Sequence, residues 1–110
     1  MDFQTAVKTC IAKYTDFSGR ASRSEFWWFF LAQIGVLVVT SLIHRYVYAI
    51  AALGLLLPGL AVGARRLHDI GKSGWFLLLS IIPLVNLVLI YFVVQPTQPE
   101  TNAYGAPPSA

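Results

Sequence analysis

Arg65-Arg66-Leu67-His68-Asp69-Ile70-Gly71-Lys72-Ser73-Gly74 is the stretch on which the reading of this chain turns. It is the one long polar interruption between Phe26 and Val94, and it holds three of the eight Lys and Arg residues. Apolar runs flank it, Val47 to Ala64 before and Trp75 to Val94 after. A short charged break between two apolar stretches of bilayer-crossing length reads as a membrane-surface loop joining two transmembrane helices.

The composition agrees. In 110 residues, room for one domain, 56% of side chains are hydrophobic and 12% are charged. The charged share is about half that of a soluble domain, and a soluble chain this small has too little interior to hide so much apolar surface. A net charge of +3 raises the question of nucleic acid. However, the basic residues sit in short segments beside apolar runs, a distribution that fits anionic head groups and topology, so no nucleic-acid partner is expected. Cys10 is the lone cysteine, which excludes an intramolecular disulfide and a cysteine-built zinc site. No short hydrophobic core followed by a small-residue cleavage site occurs, and no cleavable leader is expected.

The fold class expected is an all-α membrane protein, with three transmembrane helices preceded by a short amphipathic interfacial helix. Residues 1–21 form the amphipathic cytoplasmic segment: Phe3, Ala6, Val7, Cys10, Ile11 and Tyr14 recur at intervals of three and four, tracing one helical face. Ser22 and Glu25 match a capping box at the head of the next helix. The membrane domain, 22–94, carries spans at about 26–43, 47–64 and 75–94. From Phe26 to Ala64 the only charged side chain is Arg45, and one straight helix of that length would be about 58 Å, twice the roughly 30 Å hydrocarbon layer. The chain must therefore reverse near His44-Arg45-Tyr46. In the second span Gly59 and Gly63 lie one turn apart, open to close helix approach within the chain or between copies, and Pro58 should bend the helix. Pro83 and Asn86 interrupt the third span and are expected to face the bundle interior. Residues 95–110 read as a Pro-rich, extended tail.

Lys8, Lys13, Arg20, Arg23, Arg65, Arg66 and Lys72 fall on one side of that topology and Arg45 alone on the other. The positive-inside rule places the N-terminus and the 65–74 loop in the cytoplasm and, with three spans, the tail on the opposite side.

The polar residues form no coherent catalytic set. Gly71-Lys72-Ser73 lacks the upstream glycine of a phosphate loop, because Arg66 occupies that place. His68, Asp69 and a His44 on the far face make no metal site, so neither metal nor cofactor is expected. Ser73 with His68 is a remote candidate for an intramembrane hydrolase, with Ser73 better placed as a helix cap. The basic cluster carries more. Arg20, Arg23, Arg65, Arg66, His68 and Lys72 are candidates to bind anionic lipid head groups or a partner, while Asp16, Glu25 and Asp69 can turn the same arginines into an ion-pair network.

Phe17-Ser-Gly-Arg-Ala-Ser-Arg-Ser-Glu-Phe-Trp-Trp28, Leu57-Pro58, Arg65-Arg-Leu-His-Asp-Ile-Gly-Lys-Ser-Gly-Trp75 and Asn102-Ala-Tyr-Gly-Ala-Pro107 together resemble the bacterial domain-of-unknown-function family 805. The resemblance runs over nearly the whole chain. It implies a small multi-span protein of the bacterial inner (plasma) membrane and implies no activity. The function expected is a non-enzymatic interaction or scaffold protein, associating with the bilayer and with other membrane proteins or itself. The alternative is a small oligomeric transporter or channel lined by Gln33, Pro58, Pro83 and Asn86.

Overall fold

The computed structural model describes residues 2–108; Met1 of the N-terminal segment and Ser109 and Ala110 of the tail lie outside the described residues. Helix α1 spans Phe3–Ala12, α2 Arg23–Ile43 and α3 Arg45–Asp69; a 3-10 helix, Gly74–Ile81, and α4, Asn86–Val93, complete the order. No strand beyond an isolated bridge, Asn102 with Gly105, occurs among the described residues.

Helices α2 and α3 are the two elements long and apolar enough to cross a membrane, 21 and 25 residues, or about 32 and 38 Å. They form an antiparallel hairpin whose reversal falls on one residue, His44. Its backbone is extended, φ −167°, a conformation open to any side chain, which is why no Gly or Pro marks the turn. The His44 N–H still closes α2 on the Thr40 carbonyl, and its Nδ1 accepts the Tyr46 N–H to open α3.

Helix α3 runs on to Asp69, so the first half of the expected 65–74 loop is helix, and only residues 70–73 connect it to the next element. No helix breaker stands before Gly71, whose φ of +77° ends the last turn. The buried side chains concentrate at this end. Pro58 and most residues from Ala61 to Asp69 are inaccessible, as are Ala6 and Cys10 of α1 and Phe29 of α2. Cys10, Ala21, Phe29 and Val62 form the apolar core, with Val7, Phe26 and Leu55 packed around it. The far half of the hairpin, residues 41–50, is exposed throughout, a surface suited to lipid.

The third expected span is not one continuous helix. Its 3-10 helix covers about 16 Å and α4 about 12 Å, neither of them the thickness of the layer. Pro83 breaks the run: it has no N–H to donate, and the chain turns through Leu84 at φ +69° before Asn86 donates to the Ile82 carbonyl, 3.1 Å. Pro83 itself is exposed, and Asn86 half-buried, at the tip of this hairpin instead of in a bundle interior. The chain then returns to the end of α3 from which it left.

Candidate functional site

The charged end of the α2–α3 hairpin is built from three arginines and two carboxylates, all buried. Ser22 starts α2 by accepting the Glu25 N–H at 3.2 Å. The Glu25 side chain does not complete the capping box; it turns inward and takes Nη1 of Arg65 in an ion pair. Cys10 of α1 adds its Sγ, 3.7 Å from Glu25 Oε2. Burial and the neighbouring carboxylate push the Cys10 thiol up to about 12. Arg65 itself keeps Nε and Nη2 buried without a hydrogen-bond partner among the described residues.

Asp69, one helical turn beyond, holds two guanidiniums. Arg20 Nε meets Oδ1 at 3.0 Å, and Arg66 Nη1 meets Oδ2 at 2.8 Å. Three buried cations against two buried anions leave one positive charge in excess, and a buried charge must find dipoles if it is to stay ionised. Backbone carbonyls supply them. Arg20 donates to Gln98 at 2.7 Å, Glu100 at 2.8 Å and Gly105 at 3.0 Å. Arg66 donates to Val93 at 3.1 Å and to Gln95, and Arg23 to Val94 at 3.3 Å.

Those carbonyls belong to the end of α4 and to the tail. The segment after Val94 therefore lies against the 65–69 turn and the segment before α2. His68 adds a further tie. Its ring stacks on Tyr104 with centroids 3.9 Å apart and planes parallel, while Asn102 donates to the His68 carbonyl at 2.9 Å. His68 Nδ1 lies 3.0 Å from the Gly19 carbonyl, an acceptor only, so Nδ1 carries the hydrogen.

Of the residues marked from sequence, Arg20, Arg65, Arg66, Glu25 and Asp69 come together. Asp16 stands apart. Its carboxylate accepts the Ser18 N–H at 2.9 Å and the Ser18 hydroxyl at 2.6 Å, and those bonds hold it below the usual carboxylate range. The burial of Arg20, Arg65 and Arg66 removes them from the set open to lipid head groups; Arg23 and Lys72 remain exposed and His68 half-exposed. Ser73 caps the 3-10 helix, accepting the Trp75 N–H at 3.3 Å, and Asp69 is committed to the arginines. No hydrogen bond joins Ser73 to His68 among the described residues.

Sequence reasoning missed Tyr14. Pro58 deprives the carbonyl of Gly54, four residues back, of its helical donor, and the Tyr14 hydroxyl supplies the missing bond. Gln33 of α2 donates to the next carbonyl, Leu55, at 3.1 Å. The signal was present, since Tyr14 continues the face of α1 that carries Cys10. Both small residues of the second span are also used inside the chain. A Cβ on Gly59 would come within 2.7 Å of Gln33 Nε2, and one on Gly63 within 3.0 Å of Leu77 Cδ2.

A family model described as protein of unknown function (DUF805) matches residues 14–106, which takes in both halves of this cluster. The chain belongs to the DUF805 family. Inner membrane protein YhaH of Escherichia coli strain K12 is 34% identical over 110 residues, covering 89% of this chain and 91% of the relative. Inner membrane protein YhaI of the same strain is 36% identical over 106 residues, covering 89% and 90%. No solved structure matches the chain. This DUF805 protein is accordingly an inner-membrane protein, with two helices fit to cross the bilayer. The match reaches beyond the two long helices to the tail that Arg20 grips, so the arginine cluster and the hairpin fall within one family unit.

Proposed function

We propose that this DUF805 protein is a non-enzymatic membrane scaffold with two full spans, α2 and α3, and a re-entrant hairpin, residues 74–93, that dips into the same leaflet it leaves. The N-terminal segment, the 70–73 loop and the tail share the cytoplasmic surface. One observation carries this reading: Arg20 and Arg66 hold carbonyls of residues 93–105, so the tail returns to the arginine end. The cytoplasmic placement of that end is supported by its seven basic residues against Arg45 at the other. Non-helical backbone at membrane depth is tolerated where protein covers it, and Leu77 of the 3-10 helix packs against Gly63 of α3.

The scaffold meets the anionic leaflet through its exposed cations, Lys8, Lys13, Arg23 and Lys72, each worth on the order of 1 kcal/mol near an acidic surface. It meets other membrane helices, or a second copy, at the hairpin tip. There the Asn86 amide lacks a hydrogen-bonding partner among the described residues, a demand that an apolar setting leaves to a neighbour.

The reading is tested by topology. A fluorescent protein that matures only in the cytoplasm, fused after the tail, should fluoresce, as should the same protein inserted in the 70–73 loop. A periplasm-dependent phosphatase should be active only when inserted at His44. Phosphatase activity at the C-terminus combined with a cytoplasmic 70–73 loop would restore a third span and overturn the proposal.

A further inference from the structure

The cluster leaves one element of the charged end unused: the outward edge of His68. Its Nδ1 hydrogen is fixed on Gly19, so in the neutral ring Nε2 holds a free lone pair. The ring is clamped by Tyr104, and Nε2 lies 3.5 Å from the position a Cβ would take on Gly74, the residue next to Ser73. Ser73 Oγ accepts from Trp75, which leaves its own hydrogen free to donate.

Both groups line one cavity of about 500 Å³, within the range of drug-sized ligand pockets. Its polar end is His68, Ser73 and Tyr104; its body is apolar, with Leu60, Leu77 and Leu78 among the walls. From His68 to Leu60 along α3 the cavity reaches about 12 Å. Trp75 and Leu78 border it and are 79% and 58% exposed, so the cavity opens sideways to the surface that lipid covers. Gly74 packs closely on Ala64 at one wall, where an added Cβ would meet Ala64 Cβ at 3.0 Å.

We propose that this cavity binds a single-chain carboxylic acid of acyl-chain length, its carboxyl group between His68 Nε2 and the Ser73 hydroxyl and its chain along Leu60, Leu77 and Leu78. Nε2 of His68 accepts and the Ser73 hydroxyl donates, the complement of a protonated carboxyl. When the proton moves from the acid to Nε2, both hydrogen bonds persist and become charge-assisted, so the match survives either location of the proton. A two-chain phospholipid does not fit the single apolar body. The inference rests on the returning tail of the proposed topology, because Tyr104 belongs to that tail, and on a surrounding membrane; the fusion reporters test the first and the crosslinking tests the pocket.

The test is photo-crosslinking of the full chain in nanodiscs with a diazirine-bearing long-chain fatty acid, mapped by mass spectrometry. Adducts should concentrate on Leu60, Trp75, Leu77 and Leu78 and be competed by excess unlabelled fatty acid. His68→Phe keeps a ring for Tyr104 and removes Nε2, and should weaken the competition about tenfold, the loss of roughly one hydrogen bond. Ala64→Leu should abolish the labelling by filling the cavity. Should that variant fail to fold, Leu60→Phe narrows the pocket from a partly exposed position. Labelling spread evenly over the exposed faces of α2 and α3, or equal labelling of the same residues by a diazirine phosphatidylcholine, would show bulk lipid only and overturn the proposal, as would labelling unchanged in His68→Phe.

Discussion

Asp69 is the residue at which most of this molecule meets. Its carboxylate is wholly buried and takes one guanidinium on each oxygen. Removing one partner from a buried ion pair leaves the other charge uncompensated, at about 3–5 kcal/mol. Asp69→Asn keeps the shape and removes the charge, so thermal unfolding in detergent should show a loss of about 3 kcal/mol or more. Asp16→Asn, which touches only the Ser18 turn, should stay close to the parent. Cys10 makes a second prediction at this scale. With its thiol raised to about 12 from an ordinary 9.0, it stays protonated in the folded protein at pH 8, and only the thiolate reacts. Maleimide labelling should be slow in the native state and fast after denaturation. Because the folded value lies above the unfolded one, the stability that this thiol contributes is whole below pH 9 and is lost as pH rises from 9 towards 12.

At the scale of elements, the two long helices and the amphipathic first helix were legible, because apolar runs and three-four spacing are local signals. The reversal at His44 was legible too, from arithmetic alone: the apolar run is too long for one crossing. The third hydrophobic run departs from the continuous helix expected of it. Its composition fits a span, yet Pro83 and the left-handed Leu84 split it into two pieces, each too short to cross. Pro83 was visible as an interruption, but whether a proline bends a helix or ends it depends on what receives the freed carbonyls. In α3 that question went the other way. Tyr14 and Gln33 satisfy the carbonyls around Pro58, and the helix continues. The hairpin tip carries the prediction of this scale. If a neighbouring helix satisfies Asn86, Asn86→Leu should reduce crosslinked or co-purified partner about three- to tenfold, the measure of one polar contact between membrane helices. Association unchanged by Asn86→Leu would place the contact elsewhere.

For the whole molecule, the tail is a structural part. Six carbonyls between Val93 and Gly105 receive hydrogen bonds from Arg20, Arg23 and Arg66. A chain ending at Val94 loses the four of these that Gln95, Gln98, Glu100 and Gly105 supply, leaving buried donors unpaired at about 1–3 kcal/mol each. It should melt well below the full chain, and Arg20 should become reactive towards a guanidinium-modifying dicarbonyl. Residence in a membrane and the family motifs could both be read from the one-dimensional chain, because hydropathy acts residue by residue. That the arginines face inward, that the last hydrophobic stretch comes back, and that the tail closes on His68 could not. Each depends on a burial that exists only once residues 20, 66, 69 and 98 share one place, and the energy of a buried charge is set by its neighbours in space.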